Sequence, residues 1–152
     1  MDENKTKQIL EQILSDMDDF AFMKGIDYPP VYLLGGSGCV IAGYFDRSTT
    51  EIYIIDMEYE ASMGRLFRIL DKYDILDLYL TTVPEDFSQR AVKISKFKNI
   101  YVLSKEDIII SKIGRFSDID IEDISILIEN VDKGSMNILI DKVDYTAKVD
   151  EI

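Results

Sequence analysis

The feature that most constrains this chain is a short apolar run that is followed by a glycine turn, a short helix and a second apolar run. Val31–Leu34 is apolar, with Pro29-Pro30 before it and Gly35-Gly36-Ser37-Gly38 after it. This pattern predicts a buried strand that ends in a tight turn. Glycine tolerates positive φ and close approach to the backbone. Ser37 is predicted to cap the next helix, whose free N–H groups form an anion site.

The second apolar run alternates in the way that a half-buried strand does. In Glu51–Ile55, Ile52 and Ile54 face one side, while Glu51, Tyr53 and Ile55 face the other. Two polar residues, Arg47 and Thr49, come shortly before it. We therefore expect a strand, a glycine turn, a helix and a second strand whose outer face is acidic and phenolic.

The remaining periodicity indicates one α/β domain over residues 1–152, with C-terminal helices from about residue 104 onward. We expect a mixed sheet of four to five strands flanked by helices. Ser104 is predicted to cap the first C-terminal helix. The other predicted elements are strands at Leu76–Leu80 and Asn99–Leu103, and helices at Asp2–Lys24, ended by Gly25, and at Glu58–Tyr73.

Two familiar phosphate-binding motifs do not fit the glycine turn. A P-loop requires a lysine after its glycines, and Gly35–Val40 contains none. The dinucleotide fingerprint requires a third glycine where this chain has Ile41. By itself the turn is a weak signal, and an unrelated α/β domain whose turn is only a turn stays open as an interpretation.

Joined to the strand that follows, the turn resembles the nucleotidyltransferase superfamily, specifically its small single-domain members of the AbiEii toxin type. These carry Arg-x-Thr-x-Asp-Ile-Asp, and this chain has Arg47-Ser48-Thr49-Thr50-Glu51-Ile52-Tyr53. The resemblance extends over about Val31 to Asn130. It implies that a nucleoside triphosphate binds at Gly35, Gly36, Ser37, Arg47, Thr49 and Tyr53.

The resemblance also implies magnesium chemistry, in which carboxylates hold two Mg²⁺ ions. Glu51 occupies the first acidic position, whereas Tyr53 occupies the second, and a phenol with a pKa of about 10 is a poor magnesium ligand. Asp77 is the expected third carboxylate, meeting Glu51 across a cleft; its alternative role is an exposed aspartate on a half-buried strand. Glu51 and Asp77 are therefore the predicted metal ligands and catalytic residues.

A lysine completes the predicted catalytic set. In Arg115 and Asp120-Ile121-Glu122-Asp123, the chain looks like the family's Arg-x-Lys-Asp-x-x-Asp element, with Ile119 in place of the lysine. Lys112 precedes this element and is expected to neutralise triphosphate charge. An equally favoured interpretation pairs Lys112 with Asp120 or Asp123 at a helix junction.

Composition excludes several classes of function. The chain has no histidine, so Ser-His-Asp and Cys-His catalysis are excluded and a zinc site is strongly disfavoured. A formal net charge of -12 disfavours general nucleic-acid binding and suits a metal-chelated substrate or a protein partner. The single cysteine and the lack of a leader or a membrane-spanning run predict a cytoplasmic protein.

Two functions from different classes remain. In the first, the protein is a nucleotidyltransferase with a modified site that transfers a nucleotidyl group to an acceptor. In the second, it retains the fold without catalysis and serves as a nucleotide-binding or protein-binding module, for example in a toxin–antitoxin pair. Tyr53 favours the second function, because it removes a carboxylate that two-metal transfer requires.

Overall fold

The structure, a computed structural model, describes residues 3–49, 51–70, 72–78 and 81–143. Its α-helices are α1 (Glu3–Met23), α2 (Gly35–Ala42), α3 (Met63–Phe67), α4 (Lys105–Arg115), α5 (Asp118–Leu127) and α6 (Lys133–Asp141). Its strands are β1 (Val31–Leu34), β2 (Ile52–Asp56), β3 (Tyr73–Asp77), β4 (Val92–Lys93) and β5 (Ile100–Val102). Short 3-10 turns cover Arg68–Leu70, Phe87–Gln89 and Ile128–Asn130.

The strands form one mixed sheet in the order β3-β2-β1-β5-β4. β1 runs antiparallel to β2 and parallel to β5, β2 runs parallel to β3, and β4 runs antiparallel to β5. The predicted α/β class and the mixed sheet flanked by helices are thus confirmed. β1, the strand that ends in the glycine turn, lies at the centre of the sheet.

Helix α1 packs against α2, α3 and the 3-10 turn at Arg68–Leu70 with a single apolar stripe. Leu10, Leu14 and Met17 recur at spacings of four and three and are completely buried. The helix ends as predicted, because Gly25 adopts φ +67° and the Ile26 N–H donates to the carbonyl of residue 21. Among the described residues, no helix combines the length and apolar character that a membrane crossing requires.

The predicted helix at Glu58–Tyr73 is mostly wrong. Only Met63–Phe67 is α-helical, followed by one 3-10 turn. Glu58 adopts φ +59°, and its N–H donates to Asp56 Oδ1 at 2.9 Å, which satisfies the donor outside a helix. At the other end, Tyr73 pairs with Ile52 in the sheet, so the helix must end before it.

The third strand lies three residues earlier than predicted. The sequence pattern placed it at Leu76–Leu80, whereas β3 is Tyr73–Asp77; Tyr79 and Leu80 lie outside the described residues. Its parallel register aligns Asp56 with Asp77, so β2 and β3 end together. The prediction also missed β4, whose two residues are too few to show a periodic pattern.

Capping side chains begin helix α4, which carries Lys112, and helix α5, which carries its partners Asp120 and Asp123. The Ser104 hydroxyl accepts from the Asp107 N–H at 3.2 Å and donates to the Asp107 carboxylate, which confirms the predicted cap of α4. At α5, Ser117 and Asp120 form a reciprocal capping box. Asp120 is therefore fixed both by its helix position and by its side chain.

Two glycines of the turn make room for side chains of this chain. A Cβ added to Gly35, which has φ +73°, would lie 2.7 Å from Tyr53 Cδ2. A Cβ added to Gly36 would lie 1.9 Å from a guanidinium nitrogen of Arg47. Glycine is thus required here because Tyr53 and Arg47 pack against the backbone, whether or not a ligand is bound.

We predict that Gly36→Ala lowers stability by about 1–3 kcal/mol, because the added methyl group displaces the Arg47 guanidinium. For a chain of this size, each kcal/mol corresponds to about 2–4 °C in Tm. Gly64→Ala is the control: Gly64 lies in α3, and its Cβ would meet nothing within 4 Å. Thermal unfolding followed by circular dichroism measures both; equal Tm values for the two variants would contradict the prediction.

Candidate functional site

A cluster of ion pairs around the buried Lys112, Asp120 and Asp123 joins the loop before β2 to helices α4 and α5. We call Arg47, Lys112, Arg115, Asp120 and Asp123 the ion cluster. Lys112 Nζ lies 2.8 Å from Asp123 Oδ2 and 3.5 Å from Asp120 Oδ1. Arg47 pairs with Asp123, and Arg115 binds Asp120 through two nitrogens at 3.0 and 2.7 Å. The cluster thus links the loop before β2 to both helices.

Lys112 is the most buried cation of this cluster, with 2% of its side chain exposed. Its two carboxylate partners, Asp120 and Asp123, are the ones expected if Lys112 is a lysine paired at a helix junction. An ammonium group at this depth requires such partners, because an unpaired buried charge costs several kcal/mol. Lys112 also lines the cavity described below, so the predicted contact with triphosphate stays a prediction.

Ser37 does not cap helix α2. The residue at the cap position is Leu34, which has no side-chain bond, and Ser37 lies one turn into the helix with 1% of its surface exposed. The Ser37 hydroxyl donates to the backbone carbonyl of Glu51. This bond ties the glycine turn to the start of β2, so the hydroxyl is already occupied within the fold.

Glu51 and Tyr53 share the face of β2 that the sequence pattern predicted. The Tyr53 phenol donates to Glu51 Oε2 at 2.9 Å. Burial raises the pKa of Tyr53, and the bond to the Glu51 carboxylate raises it further, so the phenol is protonated at neutral pH. The Arg115 guanidinium carbon lies 5.8 Å from the centre of the Tyr53 ring. Tyr53 thus lies between an anion and a cation.

The expected meeting of Asp77 with Glu51 is wrong. Glu51 directly precedes Ile52, which pairs with Tyr73, whereas Asp77 pairs with Asp56. The two carboxylates therefore lie at opposite ends of parallel strands, roughly 16 Å apart along the sheet at ~3.3 Å per residue. On the neighbouring strand β3, the acidic residue that pairs with Tyr53 is Asp74.

A cavity of about 500 Å³ lies between the glycine turn, the edge of β3 and helix α4. Its wall contains the turn residue Gly35, the cationic side chains of Lys112 and Arg115, and the carboxylate of Asp77. Four residues with hydroxyl groups also line it: Tyr53, Thr81, Thr82 and Ser111. A cavity of this size is within the range of small-molecule sites.

The predicted nucleotide-binding residues do not all reach this cavity. Gly35 and Tyr53 line it. Gly36 packs against Arg47, whose guanidinium pairs with Asp123 and lies 5.5 Å from the ring of Phe45. Thr49 is half-buried in the loop before β2.

The described residues do not fit the two-magnesium set of the superfamily. They contain no group of three or more carboxylate or other metal-binding side chains that could hold an ion. Glu51 and Asp74 flank Tyr53, whose protonated phenol is a poor ligand for a hard cation. The third carboxylate that we predicted, Asp77, lies at the far end of β3.

Comparison with known families identifies the relationship. A family described as "Nucleotidyltransferase of unknown function (DUF6036)" matches residues 8–151. The chain belongs to this family. The nucleotidyltransferase assignment drawn from the turn and the second strand is thereby confirmed at the level of the superfamily. Searches among curated proteins and among solved structures found no match.

Membership of this nucleotidyltransferase family directs attention to residues that sequence reasoning missed. Asp74, Thr82 and Ser111 join the site only through strand register and helix packing. Gly114 carried a signal: it lies in the last turn of α4, and a Cβ there would lie 2.3 Å from Thr82 Oγ1, so this helical glycine marked a close contact. Nothing in the sequence pattern indicated its partner.

We predict that the Arg115–Asp120 pair makes stability depend on pH in acid. Burial raises the pKa of Asp120, but hydrogen bonds from Arg115 and Ser117 outweigh it, and the pKa lies well below its usual range. A depressed carboxyl pKa contributes stability that is present above about pH 4 and lost as the pH falls further. The free energy of unfolding, measured with urea between pH 7 and pH 2, should therefore decrease once the pH drops under about 4.

Arg115→Met should lower stability at pH 7 and reduce the part that is lost in acid, because Asp120 then lacks its bidentate partner. Arg65→Met, which replaces an exposed arginine of α3, is the control and should reproduce the wild-type profile. Identical acid profiles for Arg115→Met and wild type would contradict the prediction.

Proposed function

We propose that this protein binds a nucleoside triphosphate in the cavity between the glycine turn and α4. The observation that carries the proposal is the make-up of the wall, where Gly35 of the turn meets the cationic side of α4. The matching family is described as a nucleotidyltransferase, which makes a nucleotide the first ligand class to test. The cavity volume of about 500 Å³ suits a bound nucleotide.

The charge of the wall supports an anionic ligand. The wall includes two cationic residues, Lys112 and Arg115, and Lys112 is already paired with Asp120 and Asp123. The Arg115 side chain is 52% exposed, so its guanidinium remains accessible to a phosphate group while it binds Asp120. Asp77 also lines the cavity and opposes phosphate, and we therefore expect modest affinity.

The proposed role is binding rather than metal-dependent turnover. Tyr53 stands where a metal-binding carboxylate is expected, and its phenol is hydrogen-bonded to the remaining one, Glu51. Binding that relies on Arg115 and on cavity hydroxyls does not require a resident Mg²⁺ ion. We propose that the protein serves as a nucleotide-binding module of this kind and that it acts with a protein partner in a toxin–antitoxin pair.

We predict that Ser111→Phe abolishes nucleotide binding, because the larger ring fills the cavity from α4. Ser125→Phe is a matched control. Both serines are helical and donate to the carbonyl three residues earlier at 2.7 Å, but Ser125 is exposed on α5, away from the cavity. Calorimetric titration with each of the four common nucleoside triphosphates, at millimolar ligand, measures binding.

Wild type and Ser125→Phe should bind at least one nucleotide, and binding should persist when EDTA replaces magnesium. If no nucleotide binds to wild type, or if Ser111→Phe binds as wild type does, the proposed site is wrong. Binding that disappears in EDTA would show that a metal ion belongs to the site.

Transfer to a separate acceptor is a second candidate function, because the carboxylates of Glu51 and Asp74 flank Tyr53. We predict that Tyr53→Asp gains activity over wild type, since it restores a carboxylate that would hold a magnesium ion where negative charge develops in the transition state. One such electrostatic contact is typically worth about a hundredfold or more in rate. Tyr53→Asn is the control, because asparagine has the shape of aspartate but carries no charge.

The measurement is pyrophosphate release from a nucleoside triphosphate with magnesium or manganese and with RNA or protein acceptors. Tyr53→Asp should release more than one pyrophosphate per chain, whereas wild type and Tyr53→Asn should not. Repeated turnover by wild type that Tyr53→Asp does not raise would show that the native residues already form a competent transferase site.

A further inference from the structure

The pair formed by Tyr53 and Glu51 has the geometry of a nucleophile and its base. The Tyr53 phenol donates to Glu51 Oε2 at 2.9 Å, which is within the range for direct proton transfer. Tyr53 is one of the residues that line the cavity, while Glu51 is exposed. A residue of the cavity wall thus carries a hydroxyl group that is paired with a base.

We propose that Tyr53 is itself the acceptor of a nucleotidyl group, so that the protein modifies its own site in a single turnover. This inference rests on the proposed function, because it requires a nucleoside triphosphate in the cavity. The phenol oxygen attacks the α-phosphorus and forms a P–O bond, while the bond from that phosphorus to the pyrophosphate oxygen breaks. The phenol proton passes to Glu51, and pyrophosphate leaves.

Three features of the surroundings support this step. The Tyr53 ring is held in place, since Gly35 leaves no space between the turn and the ring edge. The Arg115 guanidinium, 5.8 Å from the ring centre, supplies a positive charge beside the phosphate groups of the ligand. The acceptor also belongs to the same site as the donor, and such proximity replaces a second binding event.

A base is necessary because a phenol, whose ordinary pKa is about 10, carries its proton at neutral pH. General-base assistance of this type typically contributes about 10²–10⁴-fold in rate. A single-turnover step also tolerates a slow rate, because the product remains attached to the chain and does not have to be released. The reaction would end with the cavity blocked by its own product.

The test is intact-mass spectrometry of the full chain after incubation with each nucleoside triphosphate as its magnesium salt, with calorimetry of the same samples. Wild type should gain the mass of one nucleotidyl group, and peptide mapping should locate it on Tyr53. Tyr53→Phe keeps the ring against Gly35 but lacks the attacking oxygen, so it should gain no mass, and its thermal unfolding curve shows whether the variant is folded.

Glu51→Gln separates the role of a base from that of a hydrogen-bond partner. The amide still accepts a hydrogen bond from the phenol but does not take its proton at neutral pH. Binding should be retained, and the initial rate of modification should fall by about a hundredfold or more. An unchanged rate in Glu51→Gln would remove Glu51 as the base and overturn the proposed step.

The outcomes also distinguish this inference from the proposed function. Nucleotide binding without any mass gain in wild type would overturn self-modification and leave the binding site intact. Modification at any residue other than Tyr53 would overturn the inference as well. If calorimetry detects no binding of any nucleotide, the proposed function fails, and the inference fails with it.

Discussion

The side of this domain that contains the cavity depends on the buried pairing of Lys112 with Asp123 and Asp120. Taking an ammonium group and two carboxylates out of water costs several kcal/mol per ion, and their mutual attraction offsets this only when each finds its partners. Arg47 binds Asp123 and Arg115 binds Asp120, which completes the arrangement. Because these five side chains come from three separate segments, the loop before β2, α4 and α5 take up their relative positions together.

The ion cluster also explains why the glycine turn is built as it is. Gly36 provides space for the Arg47 guanidinium, and Gly35 provides space for the Tyr53 ring. Tyr53 in turn binds Glu51 and lies close to Arg115. A residue at the position of an expected metal ligand is thus part of the packing of the turn and of the cavity wall. Substituting Tyr53 therefore changes this packing as well as the number of carboxylates.

Sequence reasoning succeeded where the pattern was local. Val31–Leu34 is confirmed as a strand, Gly25 ends α1, and Ser104 caps α4, because each depends on propensity or on bonds within a few residues. It failed where a distant partner decided the outcome. The helix predicted over Glu58–Tyr73 gave way to strand pairing at its end, since Tyr73 pairs with Ile52, twenty-one residues earlier in the chain.

The sequence by itself determined the superfamily, the central strand and turn, and the shared face of Glu51 and Tyr53, since alternation along a strand is a property of the backbone. Only the tertiary structure decided which carboxylate lies beside Tyr53. This depends on the parallel register of β2 and β3, in which Asp74 pairs with Tyr53 and Asp77 lies at the opposite end of β3 from Tyr73. The role of Lys112 was decided in the same way, because two helices bring Asp120 and Asp123 to its ammonium group and bury all three charges.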